Sequence, residues 1–373
     1  PKTMASFLAL LACSYVVNIQ AYYPVPTVEI NLDLPAAQRW MSAIDTILSL
    51  HTFEDTFEAT FAKANKTTFD VVPISDYPVY TAAIQQNWPE NYDELVGISA
   101  YFASKYNETV TVEYLSLWVY FHELSHLTDE AFQREHHRAC TGVLVRDIND
   151  NIFQGRNMDQ EFENARNLTL AMSFTQNGIE IFRALDWYWF TSGVVTAYQA
   201  NVLSIQENYR FEQQEYDEML AMVKQGTIPQ VLLFREILSK SGMDFAQCSN
   251  LVANTPLISP MYAILGGMKG VHEGQIITRY TNASVILDFA NITAHSTGNY
   301  DGYNPAYYMV QTNYDLWKND PANDDRRTVA ETMLASWNRS RDTQVIAIGS
   351  NLQAVMSSYS VHNKDTFYTG IFS

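Results

Sequence analysis

The sequence predicts an α+β fold, an αββα sandwich of stacked sheets covered by helices, with a helical segment ahead of it. Three observations predict it: an apolar helical stripe early in the chain, a change to strand texture at Cys140, and later a mixture of helices and strands. From Asn31 to about Asn65 the pattern is helical. Met41, Ile44, Ile47 and Leu48 recur at helix spacing, and Phe53, Phe57 and Phe61 extend the stripe at intervals of four. A second helix, rich in aromatics, is expected from Glu113 through Ser125, and a charged segment follows from Thr128 to Arg138. Beyond Cys140, Val143-Leu144-Val145 reads as a buried strand, Asp147 to Asn151 as a turn, and Ile152-Phe153 as the start of the partner strand. Leu168 to Phe174 alternates like a strand, and the Asn177-Gly178 turn leads to another at Ile179 to Ala184. Helices are expected at Tyr216–Lys224 and Val231–Ser239, and strands at Gln275–Thr278, Val285–Phe289 and Tyr307–Thr312.

Composition narrows the function. The 373 residues are 47% hydrophobic and 13% aromatic, enough to bury a large core. A formal net charge of −18 argues against nucleic acid as a partner, because phosphate binding needs basic surface. Falling pH would relieve the self-repulsion of that charge, which suits an acidic compartment. Residues 1–21 read as a secretory signal peptide: Lys2 supplies a charge, Met4 to Val17 are mostly apolar, and Ala21 is small. No later run is apolar and long enough to span a membrane, so a soluble mature protein is expected, and with the signal segment a lysosomal or secreted one. Six Asn-x-Ser/Thr sequons, at Asn65, Asn107, Asn167, Asn282, Asn291 and Asn338, agree with glycosylation in that pathway. Cys13 falls in the signal segment, leaving Cys140 and Cys248. Two cysteines make no disulfide framework; burial explains Cys248, and nucleophilic chemistry is a reason for Cys140 to survive.

The most informative constellation is Cys140-Thr141-Gly142 at a strand start, followed by Gly155-Arg156-Asn157-Met158-Asp159. Later come Gln311-Thr312-Asn313-Tyr314-Asp315-Leu316-Trp317 and Asp324-Asp325-Arg326-Arg327-Thr328. Earlier and intervening matches are Asn31-Leu32-Asp33-Leu34-Pro35 with Arg39-Trp40, Ile264-Leu265-Gly266-Gly267, and Glu273-Gly274 with Ile277-Thr278-Arg279. In this order they resemble the family of acid ceramidase and N-acylethanolamine-hydrolysing acid amidase, the N-terminal-nucleophile cysteine hydrolases. The resemblance implies a precursor that cuts its own Ala139–Cys140 bond, giving a helical chain of 22–139, with a linker at 127–139, and a catalytic chain of 140–373. It implies Cys140 as nucleophile with its freed α-amine as base, Arg156 as a cation favouring the thiolate, and Asp159 orienting the α-ammonium. Asn313 and Arg326 would support the oxyanion, and Asn208 would supply another oxyanion or substrate contact. An α-amine titrates near ~7.7–8.0 and a thiol near ~8.5, so both need help from their surroundings at acid pH.

The implied reaction hydrolyses a lipid amide, ceramide ahead of N-acylethanolamine because Arg156-Asn157-Met158-Asp159 and Gln311-Thr312-Asn313 favour the ceramidase branch. No cofactor and no metal are implied. The implied partners are the lipid amide, the two chains of one precursor, and a lipid-presenting activator or an anionic membrane surface. Trp187-Tyr188-Trp189-Phe190 is a candidate wall for the acyl chain, with core packing as the alternative. The chain departs from the family at Gly142, where relatives carry serine, and at Tyr209, where they carry glutamate. Glu207 is expected on the opposite face of that strand. Extra residues also separate Glu123 from Cys140. Two other readings stand beside this one. His122-Glu123-Leu124-Ser125-His126 is a literal HExxH, which on a helix can hold zinc with the glutamate as base. An inactive lipid-binding relative is the second, motivated by Tyr209.

Overall fold

The alternation of exposed and buried side chains in Thr27–Asn31 forms strand β1, a segment to which the sequence pattern assigned no element before Asn31. In the computed structural model, which describes residues 25–127, 140–292, 307–337 and 345–373, the helical pattern starts ten residues later than expected. Pro35 follows β1 and introduces a single short turn, so the first helix, α1, spans Met41–Leu50 and buries Ala43, Ile44 and Ile47. His51 then turns extended (φ −138°, ψ 161°) and ends it. The phenylalanine stripe continues through π-type turns on either side of α2 (Ala59–Ala64). Helices α3 (Tyr77–Asn87) and α4 (Pro89–Tyr101) each carry proline in the first turn, where its missing N–H costs nothing. Helix α5 (Val112–Val119) is capped by Thr111, whose hydroxyl accepts from the Tyr114 N–H. A break at Tyr120 separates it from the short α6 (Phe121–Ser125), which carries the HExxH residues.

From Cys140 onward, β2 (Thr141–Arg146) and β3 (Ile152–Asp159) pair through the expected turn, where Asp147 Oδ1 accepts from the Asn149 and Asn151 N–H groups. Strands β4 (Leu170–Gln176) and β5 (Ile179–Asp186) close on Asn177-Gly178, both left-handed at φ 53° and 72°, as that hairpin pair requires. The chain continues through β6 (Thr196–Gln199), β7 (Leu203–Tyr209), α7 (Tyr216–Lys224), α8 (Gln230–Ser239) and α9 (Phe245–Asn254). It ends with β8 (Met261–Gly266), β9 (Gly274–Arg279), β10 (Ser284–Asp288), β11 (Tyr308–Gln311), α10 (Arg326–Ser336), α11 (Val345–Met356) and β12 (Thr366–Phe372).

The strands form two sheets. The larger runs β1-β4-β5-β6-β7-β8-β9-β10 and is antiparallel except for β1 beside β4; the smaller runs β11-β2-β3-β12. The N-terminal helices and α7–α9 share one apolar core with Met172, Phe174, Ile205 and Leu265 of the large sheet. Helices α10 and α11 pack Leu334, Leu352 and Met356 against Val143, Val145 and Phe153 of the small one. Between the sheets, Leu144 and Met309 meet Tyr262, Ile264 and Ile276. This is the expected αββα sandwich, and the ends of β2, β3 and β7 converge at one edge of the inter-sheet layer.

The signal-peptide reading, Ala139 with the linker from residue 128, and Asn338 lie outside the described residues. The other five sequon asparagines are all exposed. Cys248 is fully buried, as expected of a small apolar residue.

Candidate active site

Cys140 immediately precedes β2 and is 3% exposed. Its backbone carbonyl is held from two sides: Arg326 Nη1 donates at 3.0 Å and Asn208 Nδ2 at 3.3 Å. Its thiol lies 3.4 Å from Met158 Sδ and borders a cavity of about 90 Å³. Burial pushes the Cys140 thiol up, and the positive charge of Arg156 works against that.

Each neighbour owes its place to strand parity. Arg156 and Met158 are two residues apart on β3 and face the large sheet together, while Asn157 between them faces the helices. Arg156 is fully buried; Nη1 donates to the Glu207 carbonyl at 2.6 Å and to Asn208 Oδ1 at 2.5 Å. Among the described residues no carboxylate makes an ion pair with it, so its charge remains available to the site. Asn157 Nδ2 donates to the Met356 and Val361 carbonyls, both at 2.8 Å, which ties β3 to the end of α11. Asp159 ends β3 and accepts from Thr366 Oγ1 (2.6 Å) and Asn363 Nδ2 (2.8 Å), with Arg326 Nη1 3.8 Å away. Burial raises Asp159 to about 6, against the opposing pull of Arg326. Arg156 and Asp159 are thus not a surface ion pair; both are buried and held by other partners.

Arg326 opens α10, braced by Asp324, and its Nη2 donates to Asn313 Oδ1 at 2.9 Å. The Asn313 amide is itself engaged, donating to the Tyr209 carbonyl at 2.7 Å. Of the three amide and guanidinium groups implied around an oxyanion, Asn208 and Arg326 therefore converge on the Cys140 backbone. Asn313 stands one bond further out.

Gly142 has a geometric cause. A β-carbon there would lie 2.3 Å from Gln206 Nε2 on β7. Gln206 accepts from Gln154 at 2.8 Å and donates to Asn208 Oδ1 at 3.2 Å, so the glutamine fills the room a serine would need.

Sequence reasoning misplaced one residue. Glu207 is two positions before Tyr209, so on a strand the two share a face, and both line the cavity with Cys140. Glu207 is 4% exposed, and burial pushes it up to about 8 although Arg156 opposes the shift. The wall beside it comes from the HExxH helix. His122 and His126 pack their rings 5.0 Å apart, and Tyr209 stacks on His126 at 4.2 Å and 19°. Burial lowers His122 to about 4 and His126 well below its usual value. Glu123 turns away from them, accepting from the Gln230 N–H at 2.8 Å, and burial raises it to about 7. Among the described residues no three metal-ligating side chains converge. The i,i+4 spacing was the available signal for this wall; its packing against Tyr209 depends on a contact across the fold.

Phe121, Phe162 and Trp187 form the apolar side of the cavity. The aromatic cluster divides accordingly: Trp187 and Tyr188 border the cavity, while Trp189 and Phe190 pack on Trp40, Phe57 and Phe61 in the core.

No family model matches the chain. It is 32% identical over 235 residues to the N-acylethanolamine-hydrolyzing acid amidase of Rattus norvegicus, an alignment covering 63% of this chain and 60% of that protein. It is 27% identical over 367 residues to acid ceramidase of Homo sapiens, covering 92% and 82% respectively. Among solved structures, the Caenorhabditis elegans ortholog of N-acylethanolamine-hydrolyzing acid amidase superposes with a TM-score of 0.51 and 25% identity, over 62% of this chain and 92% of that one.

Proposed function

We propose that this chain, which belongs to the family of acid ceramidase and N-acylethanolamine-hydrolyzing acid amidase, is a cysteine amidase that cleaves a lipid amide after cutting its own backbone before Cys140. The observation that carries the reading is the setting of Cys140: its carbonyl gripped by Arg326 and Asn208, its thiol in an apolar-walled cavity beside Arg156, Asp159 and Glu207. A nucleophile, a cation and a carboxyl group with a shifted pKa in one cleft are what acyl transfer requires.

Cleavage of the Ala139–Cys140 bond would free the Cys140 α-amine, leaving a catalytic chain of 140–373. That amine takes the thiol proton as sulfur attacks the amide carbonyl, and Arg156 stabilises the thiolate. The tetrahedral intermediate collapses, the C–N bond breaks, and the amine departs with the proton. Water then hydrolyses the thioester, returning the thiol and releasing the fatty acid. Asp159 would hold the ammonium form of the α-amine. For Asn313 to serve the oxyanion, its N–H must exchange the Tyr209 carbonyl for the substrate oxygen, which makes it a group that engages only on reaction.

Ceramide is the favoured substrate. The Arg-Asn-Met-Asp and Gln-Thr-Asn sequences support it, as does the longer alignment with acid ceramidase. The lysosomal or secreted location rests on the family and the exposed sequons; among the described residues no helix is long and apolar enough to cross a membrane. The metal reading is weakened by Glu123, whose carboxyl points to Gln230 rather than toward His122 and His126. Hydrolysis of ceramide and of an N-acylethanolamine by purified protein near pH ~4.5, with Cys140→Ala alongside, tests the reading. Turnover abolished by Cys140→Ala and untouched by a chelator is expected. Turnover that survives Cys140→Ala but not the chelator would establish the zinc alternative, and binding without turnover the inactive one.

A further inference from the structure

The cavity beside Cys140 is lined by a carboxyl group, that of Glu207, which the reaction above does not use. Asp159 is tied down by Thr366 and Asn363, whereas the Glu207 carboxyl is buried and its Oε1 makes no hydrogen bond of good geometry. His122 Nδ1 lies 3.5 Å from it. The HExxH spacing decides what that contact can be.

His126 Nδ1 lies 2.8 Å from the Glu212 carbonyl oxygen. A carbonyl only accepts, so this nitrogen carries the hydrogen. In the neutral ring Nε2 is then a lone pair, and it faces His122 Nε2 at 3.4 Å. Hydrogen on His122 Nε2 answers that lone pair, with the Pro260 carbonyl also accepting from the ring, and leaves Nδ1 as an acceptor turned toward Glu207. A carboxylate there would set two lone pairs against each other. A carboxylic acid instead donates to Nδ1 and leaves its second oxygen to the cavity as an uncharged acceptor.

We propose that Glu207, oriented by the His126–His122 chain, is a neutral carboxylic acid that accepts a hydrogen bond from a hydroxyl on the amine portion of the substrate. The inference rests on the amidase reading and names the part of the substrate that the site selects. The acyl chain takes the wall of Phe121, Phe162 and Trp187, so the polar amine portion falls to the side of Glu207. The charged and titratable groups around Glu207 agree with a neutral acid. Burial raises it, Glu123 from α6 and Asp186 from β5 reinforce the shift, and Arg156 from β3 opposes it without a direct contact to the carboxyl. Neutrality also serves the nucleophile, because a charged Glu207 would oppose ionisation of Cys140.

The test uses the mature protein with two amides of one fatty acid, one bearing an amine-side hydroxyl and one with hydrogen in its place. Glu207→Gln copies the neutral acid, with an N–H for His122 and an oxygen for the cavity; Glu207→Ala removes both. Wild type is expected to favour the hydroxyl amide by about tenfold in kcat/KM, the worth of one ordinary hydrogen bond. Glu207→Gln should keep that preference and Glu207→Ala lose it. If the glutamine variant behaves like the alanine one, or wild type shows no preference, the proposal is overturned. A second readout does not depend on turnover. In the wild-type minus Glu207→Gln infrared difference spectrum, where the other buried carboxyls cancel, a protonated-carboxyl band should be present near pH ~6 and vanish above about 8. Its absence near pH ~6 would overturn the proposal even in an active enzyme. Its presence in a protein that never cleaves an amide would sink the amidase reading and keep the neutral acid.

Discussion

At the scale of single residues, the site is a set of short side chains whose rooms are already taken. Gly142 and Gln206 make the clearest pair, since a β-carbon on one would meet the amide of the other at 2.3 Å. Gly142→Ser is expected to push Gln206 off Asn208 and so loosen the grip on the Cys140 carbonyl, at a cost of about 1–3 kcal/mol, as overpacked sites show. Urea unfolding of the single variant and of Gly142→Ser with Gln206→Ala should reveal partial rescue in the double. Equal losses would mean that the two side chains do not compete. Arg156 carries the second prediction. Arg156→Lys keeps a charge but cannot reach both the Glu207 carbonyl and Asn208 Oδ1, so kcat should fall by about 10²–10³, the scale of one lost electrostatic donor. An unchanged kcat would show that charge alone suffices.

Secondary-structure elements place these residues by register. Strand β3 sends Arg156 and Met158 inward and Asn157 outward, where its amide fastens the strand to α11. Asn157→Ala leaves two buried carbonyls unpaired and should cost about 1–3 kcal/mol per lost partner, read as a lower urea midpoint without change of slope. Stability within experimental error of wild type would show that water replaces the amide. Much of this level was legible in the sequence. A short apolar run marked the middle of β2, Ile152-Phe153 the start of β3, and alternation with the Asn177-Gly178 turn gave β4 and β5 to within two residues, while the apolar period gave α1, α5, α7 and α8. Strands β6, β8 and β12 were not singled out. They are short or buried on both faces, so no alternation marks them. Strand β1 was left unassigned up to Asn31, because its pattern is only five residues long and runs straight into the apolar stripe. In the site, motif resemblance named Cys140, Arg156, Asp159, Asn208 and Arg326, which the structure brings together. Glu207 was assigned to the wrong face by a count of one residue, and the role of the histidine pair depends on tertiary packing.

The whole molecule is acidic outside and holds several buried carboxyls within, and the two features act in one direction. Burial raises Glu207 to about 8, Glu123 to about 7, and Asp159 and Asp186 to about 6. Each is protonated in the fold at a pH where the unfolded chain has lost its proton. The unfolded state therefore binds fewer protons, and stability falls as pH rises from about 4.5 through about 8. The buried histidines act in the opposite sense. His122 stays neutral down to about 4 while the unfolded chain protonates near 6.5, so acidification across that window costs about 3 kcal/mol. A thermal-stability profile should accordingly peak at mildly acid pH and fall on both sides. His126→Phe, which keeps a ring on Tyr209, should soften the acid limb alone. A profile that rises steadily toward pH ~8 would contradict the buried, protonated carboxyls.

The central claim is that Cys140 becomes an N-terminal nucleophile, and the direct measurement is N-terminal sequencing with intact mass of deglycosylated protein before and after incubation near pH ~4.5. The account predicts a new chain beginning Cys140-Thr141-Gly142 that Cys140→Ala abolishes. A chain that stays whole at acid pH, or is cut identically in the Cys140→Ala variant, would contradict it.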